Sequence, residues 1–452
     1  MKKTYVAMST DVFREGHINI LEQAAKYGIV TVGVLSDEAI ATYKRPPAIN
    51  LQERMRIISQ FRQVDHVVVQ NTLDYQENLR KLRPDYVVHG DDWRTGVQQM
   101  VRASVINTLA EWGGELIEVP YTADCTISVD LNTPEMRLPK LKRLLQLKPY
   151  IRAIDTSNGL TGIIAENANF IANTDFTNDF GNADLANDFG NADFDANFNA
   201  VGSAIIKEFD ALWISSLCDS AFKGKPDIEL VDLTSRINSI NEIMEVTTKP
   251  IILDGDTGGK TEHFSYHVKT LERIGVSAVI IEDKTGLKQN SLFGTDVVQI
   301  LDDPEQFALK IKAGKQAQTT RDFMIIARLE SLIAGKDVDD ALMRARIYID
   351  AGVDGIMIHS KERDGADILD FMMRFRDYSK DIPLVLVPTT YNHFTEDELH
   401  AKGANIIIHA NHLLRSAYPA MMRTAVSILE NGRSLEASQE FCMPINEVLT
   451  FI

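Results

Sequence analysis

Cysteine and positive charge are both scarce in this chain of 452 residues. Three scattered cysteines, an odd number, fit a reducing compartment better than a disulfide framework. The net charge of −17 disfavours nucleic acid or an anionic membrane as a main partner, because both bind basic faces. No apolar run reaches the roughly twenty residues of a membrane span, and the N-terminal run is too short for a signal peptide. We therefore expect a cytoplasmic protein.

The first 122 or so residues alternate between strand and helix patterns. Apolar runs typical of buried strands occur at 5–8, 29–35, 66–69, 86–89 and 115–119. Helical patterns separate most of these runs, and such alternation predicts a doubly wound parallel sheet with helices on both faces. Ligands of these sheets bind at the carboxyl ends of the strands.

The rest of the chain predicts a second α/β architecture. Eight apolar runs end in polar groups, at 150–154, 211–214, 251–253, 278–281, 324–327, 355–358, 384–387 and 405–408. Helical stretches lie between most of them, so the simplest arrangement is a (β/α)8 barrel. Functional side chains of such a barrel lie at the carboxyl ends of its strands.

Glu282 stands at one of these strand ends and opens a polar loop. Behind it come Lys284, Lys288, Asn290 and Ser291, with Gly286 to give the segment conformational freedom. This set suits an anionic ligand beside a divalent metal. Taken alone, the loop is equally compatible with an acidic strand end followed by a solvated turn.

Neighbouring strand ends strengthen the functional interpretation. Asp254 and Asp256 are two residues apart after another apolar run, so both carboxylates can face one site. Together with Glu282 they form an oxygen-ligand set that suits Mg²⁺. Arg328 and Glu330 lie at the end of a third run, and His359 lies at the end of a fourth. A metal site, an arginine and a histidine at successive strand ends favour phosphoryl or enolate chemistry.

These motifs resemble the phosphoenolpyruvate phosphomutase family of the isocitrate lyase superfamily, over roughly residues 138–440. The matching segments, in chain order, are Trp213-x-Ser215, Asp227, Asp254-Gly-Asp-Thr-Gly-Gly, Glu282-Asp-Lys-x-x-x-Lys-x-Asn-Ser, Arg328 and His359. The Lys-Lys-Cys-Gly-His motif of the isocitrate and methylisocitrate lyases is absent, which disfavours a carbon–carbon lyase. The chain also has Ser157-Asn-Gly-Leu where the family usually has His-Asn-Gly-Leu.

The resemblance implies interconversion of phosphoenolpyruvate and phosphonopyruvate, with Mg²⁺ held by Asp254, Asp256 and Glu282, partly through water. Catalytic roles are implied for Asp227, Lys288, Asn290, Ser291, Arg328 and His359. Substrate binding is implied for Trp213, Ser215, Ser216 and Leu217. A phosphonopyruvate hydrolase with the same barrel and metal remains an alternative, as does a non-enzymatic scaffold. The family also implies a homodimer or homotetramer.

The first domain resembles the glycerol-3-phosphate-type cytidylyltransferases, in the segments 10–17 and 89–94. Their His-x-Gly-His motif keeps its second histidine as His17, whereas Arg14 replaces the first. Asp124 replaces a glycine of a later phosphate-facing segment. The resemblance implies CTP as a possible ligand, bound by His17, Lys44, His89, Asp91 and Asp92. Both a degenerate domain and a working one, with Arg14 acting electrostatically, remain open.

The expected organisation has four parts and one insertion. We expect a nucleotide-binding domain at 1–128, a linker helix at 129–149, the barrel at 150–440 and a C-terminal tail at 441–452. A basic amphipathic helix near 138–148 should cover the bottom of the barrel or, alternatively, contact a second subunit. An Asn/Asp-rich insertion is expected at about 168–203, because Asn-Asp-Phe-Gly-Asn-Ala-Asp occurs there twice and its residues disfavour helices and sheets.

Overall fold

The computed structural model describes residues 1–11, 13–42, 46–94, 99–120, 133–172, 205–286 and 288–450. The chain divides into two compact units, one with Met1–Val129 and Asn169–Glu208, the other with Asp130–Ala168 and Phe209–Ile452. Within the described ranges, no helix is both long enough and apolar enough to cross a membrane.

The first unit contains a parallel sheet whose described strands follow the order β3-β2-β1-β4-β5. The strands are β1 (Lys3–Met8), β2 (Ile29–Leu35), β3 (His66–Gln70), β4 (Tyr86–Gly90) and β5 (Glu115–Val119). The helices are α1 (Glu15–Tyr27), α2 (Asp37–Ala41), α3 (Leu51–Ile58), α4 (Gln76–Leu82) and α5 (Gln99–Ala110). β1 lies between β2 and β4, which is the point where the strand order reverses.

Side-chain alternation along β1 explains why helices cover both faces of this sheet. Val6 and Met8 belong to an apolar cluster that includes residues of α1 and α3. Tyr5 and Ala7 point the other way, into a cluster with residues of α4 and α5. The predicted doubly wound sheet is therefore confirmed.

The first unit also includes an antiparallel pair of strands, β7 (Asn169–Ala172) and β8 (Ile205–Glu208), with Asn169 opposite Glu208. β7 falls within the Asn/Asp-rich insertion expected at 168–203, and β8 follows directly after it. Residues 173–204, which hold most of that insertion, lie outside the described residues.

The second unit is a parallel barrel that closes in the order β10-β11-β12-β13-β14-β15-β6-β9 within the described part of the chain. Its strands are β6 (Ile151–Asp155), β9 (Ala211–Ile214), β10 (Ile251–Asp254), β11 (Ala278–Glu282), β12 (Met324–Leu329), β13 (Gly355–Ile358), β14 (Leu384–Leu386) and β15 (Ile406–His409). These strands match the eight predicted apolar runs, so the (β/α)8 prediction is confirmed.

Helices surround and flank this barrel. They are α6 (Pro134–Arg137), α7 (Lys140–Leu147), α8 (Gly159–Asn167), α9 (Ser216–Phe222), α10 (Leu233–Val246), α11 (Thr261–Ile274), α12 (Pro304–Ala317), α13 (Val338–Asp350), α14 (Ala366–Tyr378), α15 (Glu396–Ala401), α16 (His412–Asn431), α17 (Leu435–Glu440) and α18 (Ile445–Val448). Several begin at an acidic N-cap. Asp232 accepts a hydrogen bond from the Ser235 amide at the start of α10, which satisfies a helix N–H that lacks a partner within the helix.

The alternation of side chains along the barrel strands decides which residues reach the site. Ile252, Ile280 and Ile326 face the barrel interior. Continuing two residues along each strand gives Asp254, Glu282 and Arg328, so these polar side chains have the same inward orientation at the carboxyl ends. One apolar cluster thus fills the barrel below the polar mouth, and a second packs the outer side of the strands against the helices.

Helix α7 closes the opposite end of the barrel. Leu141 and Leu144 are buried and belong to the same apolar cluster as the interior side chains of the strands. The basic residues of α7 lie outside this face, so the face that packs on the barrel is apolar. The expectation that the helix near 138–148 covers the bottom of the barrel is confirmed.

We predict that Leu141→Ala lowers the free energy of unfolding of the barrel by about 2 to 5 kcal/mol, because Leu141 is fully buried and its truncation leaves a cavity. Chemical denaturation followed by tryptophan fluorescence measures this change. Gln146→Ala is the matched control, since Gln146 is exposed on the same helix. Equal stabilities of the two variants would contradict the role of Leu141 in closing the bottom of the barrel.

Candidate active site

Three buried carboxylates, those of Asp254, Asp256 and Glu282, lie at the carboxyl ends of the adjacent strands β10 and β11. One oxygen of Asp254 accepts hydrogen bonds from the amide and hydroxyl of Ser216, at 3.3 and 3.1 Å. Its other oxygen accepts the amide of Asp256 at 3.1 Å. The end of β10 is thereby joined to the first turn of α9.

Asp256 lies between two cationic side chains. Its Oδ1 accepts a hydrogen bond from Lys288 Nζ, and its Oδ2 accepts one from Arg236 Nη1 at 3.0 Å. Its backbone has φ of 53°, in the left-handed region that non-glycine residues rarely adopt. The surrounding contacts must hold this conformation in place.

Glu282 differs from its two neighbours because neither carboxylate oxygen has a hydrogen-bond partner among the described residues. Lys284 Nζ and Arg328 Nη2 form ion pairs with Oε2 at 3.2 and 3.5 Å, but neither contact is a hydrogen bond. Burial raises the pKa of Glu282 to about 7, although the neighbouring cations oppose this shift. A buried carboxylate with free oxygens is the kind of group that a hard cation binds.

The donor set therefore suits a hard cation chemically, but it is not preassembled. Across the described residues, no three Asp, Glu, His or Cys side chains are already gathered as metal ligands. Burial opposes ionisation of Asp254, yet the charges of Lys288 and Arg328 lower its pKa to about 2. Asp254 thus stays ionised, and Glu282 offers unused oxygens beside it.

A loop at residues 284–301, which we call the lid, covers these carboxylates; its Leu287 lies outside the described residues. Lys288 Nζ donates to Ser216 Oγ at 2.5 Å and to Asp227 Oδ1 at 3.1 Å. Asn290 Nδ2 donates to Asp227 Oδ2 at 2.6 Å. The structure thus brings Asp227, Lys288 and Asn290 together, as their expected roles require.

The two ends of the lid are held together at its base. Lys284 and Leu301 form an antiparallel bridge, and the amide of Asp302 donates to the carbonyl of Asp283 at 2.9 Å. The Asp283 carboxylate accepts hydrogen bonds from Arg344 Nη1 at 3.1 Å and from Tyr348 Oη at 2.8 Å. The base of the lid is thereby anchored to α13.

Lys284 connects the base of the lid to its inner side. Its ammonium donates to the carbonyl of Gln289 and to Ser291 Oγ, both at 2.9 Å, and to Gln299 Oε1 at 3.2 Å. It also pairs with the buried carboxylate of Glu330 at 3.5 Å. Lys284 therefore mainly holds the residues of the lid together.

Ser291, Arg328, Glu330 and His359 form a second cluster across the mouth of the barrel. Ser291 Oγ donates to Glu330 Oε2 at 2.6 Å and accepts from Arg328 Nη2 at 2.7 Å. Arg328 Nε donates to Glu330 Oε1. The cluster presents fixed N–H donors suited to an anionic group.

His359 is neutral in this cluster. Burial and the adjacent Arg328 charge lower the pKa of its imidazole. Arg328 Nη2 lies 3.0 Å from His359 Nδ1, and because a guanidinium can only donate, Nδ1 accepts. The ring proton is then on Nε2, where the imidazole can donate a hydrogen bond to a ligand.

The segment expected to bind a substrate carboxylate begins at the end of β9. Trp213 is buried within the interior apolar layer of the barrel, whereas Ser215, Ser216 and Leu217 follow it into α9. Asp155 fixes this turn by accepting hydrogen bonds from Ser215 Oγ at 2.8 Å and Cys218 Sγ at 2.9 Å. The Ser216 amide already binds Asp254.

Sequence reasoning noted Lys284 and Glu330 beside the expected site without assigning either a defined role, and it missed Asp155 and Arg236. Asp155 and Glu330 carry a detectable signal, since each lies at or just beyond the end of an apolar strand run. Arg236 carries none, because it lies within helix α10, 18 residues before the carbonyl to which it donates. Only the folded barrel brings Arg236 to the strand ends.

In the first unit, the proposed nucleotide residues follow two adjacent strands. His17 lies in the first turn of α1, and its Nδ1 accepts the amide of Arg14 at 3.0 Å. His89 lies near the end of β4, with its ring stacked on Trp93 at a centroid distance of 3.7 Å. Asp91 follows in a short 3₁₀ turn. Lys44, Asp124 and the side chain of Asp92 lie outside the described residues.

A closed parallel barrel with acids, an arginine and a histidine at its carboxyl end defines a TIM-barrel enzyme. Residues 191–429, more than half of the chain, match the family model described as phosphoenolpyruvate phosphomutase. The chain belongs to this family. Residues 9–129 match the cytidylyltransferase-like family model.

Individual relatives agree with this assignment. The chain is 37% identical to a phosphoenolpyruvate phosphomutase of Tetrahymena pyriformis, over 52% of this chain and 77% of the relative. It is 36% identical to a phosphonopyruvate hydrolase of Variovorax sp. strain Pal2, over 50% and 77%. The structure of a phosphoenolpyruvate phosphomutase from Streptomyces platensis subsp. rosaceus matches with a TM-score of 0.57 and 31% identity, over 69% of this chain and 93% of that one. A phosphonopyruvate hydrolase complex with oxalate and Mg²⁺ matches with a TM-score of 0.52 and 28% identity, over 67% and 89%.

We predict that Glu282→Gln weakens Mg²⁺ binding by more than the roughly 10- to 100-fold that outer-sphere partners contribute. Mg²⁺ requires the ionised carboxylate, so the Mg²⁺ affinity of the parent protein should decrease when the pH is lowered through about 7, the pKa of Glu282. This pH dependence should vanish in the variant. Titration calorimetry at several pH values measures both effects. Glu262→Gln, which removes an exposed charge on α11, should change neither. Unaltered affinity in Glu282→Gln would exclude Glu282 as a ligand.

Proposed function

We propose that the barrel interconverts phosphoenolpyruvate and phosphonopyruvate. The observation that supports this most is the lid, whose Lys288 and Asn290 both bind Asp227 above the strand-end carboxylates. In the reaction, the bond between phosphorus and the enol oxygen breaks, and a bond from phosphorus to C3 of the pyruvate enolate forms. No proton or electron is gained or lost, so the site must position and shield the group rather than supply a reagent.

The residues that would hold Mg²⁺ are Asp254, Asp256 and Glu282, in part through water. A bound Mg²⁺ would supply positive charge to the enolate oxygen and the substrate carboxylate. In the present structure Asp256 is engaged by Lys288 and Arg236, which supports an indirect role for it and a direct one for the other two.

The phosphoryl group would lie among Arg328, His359, Asn290 and Ser291. Burial opposes the guanidinium charge, but the carboxylates of Glu330 and Glu282 raise the pKa of Arg328, so it remains a cation. His359, neutral and protonated at Nε2, would donate one more hydrogen bond. Fixed donors of this kind stabilise a transferring phosphoryl group because they need no reorganisation during the reaction.

At the other end of the substrate, the amides around Ser215, Ser216 and Leu217 would bind the carboxylate. Asp155 holds this turn through Ser215 and Cys218. Asp227 would lie beside the reacting centre, where it accepts hydrogen bonds from Lys288 and Asn290 of the lid. The enolate can then turn its carbon toward phosphorus while both ends of the substrate stay bound.

Exclusion of water decides between mutase and hydrolase. A phosphonopyruvate hydrolase would use the same barrel but let water reach phosphorus, giving pyruvate and inorganic phosphate. The closed contacts of Lys288 and Asn290 with Asp227 favour the mutase. The product distribution distinguishes the two activities.

A second copy of the chain is a further proposed partner. Helix α16 has 20 residues, of which only Ser427 is buried in the described structure. Leu429 and Tyr418 on this helix are 82% and 64% exposed. Such an apolar surface on one long helix favours a homodimer or homotetramer. We also propose a cytoplasmic location, because the cysteines are few and Cys218 and Cys442 are free thiols.

We predict that Asn290→Ala slows turnover of phosphonopyruvate by about ten- to a hundredfold, the loss expected for one hydrogen bond to a charged group. The residual activity should shift toward pyruvate and inorganic phosphate, because the lid no longer closes fully. Phosphorus NMR with Mg²⁺ and phosphonopyruvate follows both products. Val298→Ala, on the exposed side of the lid, should keep the parent rate and product. Parental rate and product in Asn290→Ala would exclude the lid role and leave this segment as a solvated loop.

For the first unit, we propose weak or no CTP binding. Arg14 replaces the first histidine of the phosphate-facing motif, and its amide occupies Nδ1 of His17. We predict no binding by calorimetry at micromolar CTP with Mg²⁺. Arg14→His should increase the affinity. Micromolar binding by the parent protein, with pyrophosphate release when a phosphonate acceptor is added, would instead establish an active transferase.

A further inference from the structure

Arg236 connects two strand ends beneath the lid. It is a buried residue of helix α10, and its guanidinium donates to three acceptors. These are the carbonyl of Asp254, the carbonyl of Ile214 at 3.3 Å, and Oδ2 of Asp256 at 3.0 Å. One side chain thus joins the ends of β9 and β10, and the planar fork of an arginine suits several acceptors in fixed positions.

The buried acid Asp219 forms an ion pair with Arg236. Asp219 is fully buried on α9, and its Oδ2 lies 3.7 Å from Arg236 Nε. Its Oδ1 accepts hydrogen bonds from Lys223 and from Ser239 Oγ at 2.9 Å. The guanidinium therefore has a fixed position set by two helices.

The same guanidinium fixes the carboxylate that receives the lid. Oδ2 of Asp256 binds Arg236, which leaves Oδ1 directed at Lys288 Nζ. The backbone of Asp256 has a positive φ, a conformation that persists only where surrounding contacts hold it. Arg236 and Lys288 are thus joined through one carboxylate, the first belonging to the barrel and the second to the lid.

We propose that Arg236 is a positioning residue for the lid, acting through Asp256 on Lys288. Resting on the proposed phosphomutase function, this role makes the water-excluding closed state depend on a helix residue that does not touch the substrate. Without the guanidinium, Asp256 rotates and Lys288 keeps only Ser216 and Asp227 as partners. The lid then opens more often.

Hydrogen exchange of the lid amides in the full chain tests this proposal without any substrate. The reporters are the amides of Thr285, bonded to the carbonyl of Ile300, and of Leu292 and Phe293, bonded to Asn290. In Arg236→Lys these amides should exchange about ten- to a hundredfold faster, the ratio produced by loss of one hydrogen bond to a charged group. Arg137→Lys is the control, since Arg137 is another buried arginine that donates to carbonyls, of Met244 and Thr247. It should leave lid exchange unchanged.

A double-mutant cycle separates positioning from general destabilisation. In a Lys288→Met background, Arg236→Lys should have no further effect on lid exchange, because the Asp256 carboxylate no longer has a lid residue to bind. Equal acceleration in both backgrounds would overturn the proposal, as would unchanged exchange in Arg236→Lys. If Arg236→Lys does not fold, Asp219→Asn with Arg236→Met removes both buried charges together and takes its place in the cycle.

Product analysis distinguishes this inference from the proposed function. In Arg236→Lys, phosphorus NMR should show a larger share of inorganic phosphate and pyruvate than in the parent. A parent protein without turnover, combined with the expected exchange cycle, would refute the function and keep the positioning role. Normal turnover with lid exchange insensitive to Arg236 would refute the positioning role and keep the function.

Discussion

Charge neutralisation inside a buried site is the constraint on which the structure of the barrel mouth depends. Asp254, Asp256, Glu282 and Glu330 are all buried there, and an unpaired buried ion costs several kcal/mol. Four cations from three elements neutralise these acids, namely Arg236 of α10, Arg328 of β12, and Lys284 and Lys288 of the lid. Two of them belong to the lid, so closing the lid and neutralising the site are the same event.

This arrangement also explains why one carboxylate stands apart. Asp256 has a cation at each oxygen, and Asp254 is bound by Ser216 and by a backbone amide. Glu282 has neighbouring charges but no hydrogen bond among the described residues, and burial raises its pKa to about 7. The carboxylates of Asp254 and Asp256 therefore already have partners, whereas the oxygens of Glu282 remain available to a hard cation.

The two units both place polar residues at the ends of parallel strands, but they arrange these residues differently. In both, polar residues follow parallel strands at their carboxyl ends. The barrel gathers acids, donors and a lid into one buried cluster. In the first unit, His17 and His89 are held by local contacts, with the Arg14 amide and the Trp93 ring respectively. The family match of the barrel is accordingly more informative about function than that of the first unit.

The order of residues along the chain was enough to predict the two α/β architectures and the inward-facing residues at the strand ends. Both follow from local rules, because apolar runs form buried strands and side chains two residues apart share a face. Asp254, Glu282, Arg328 and His359 could therefore be placed at one end of a barrel before the structure was known. The motif order also identified Asp227, Lys288 and Asn290 as site candidates.

Which of these groups contact one another depends on the folded chain. Asp227 and Lys288 are 61 residues apart, and Lys288 and Asp256 are 32 apart, so no local pattern specifies their contacts. Arg236 lies in a helix whose sequence predicts packing alone, and it becomes part of the site because α10 packs beside the ends of β9 and β10. Strand periodicity fixes the direction of a side chain, whereas the pairing of buried charges depends on how distant segments close around them.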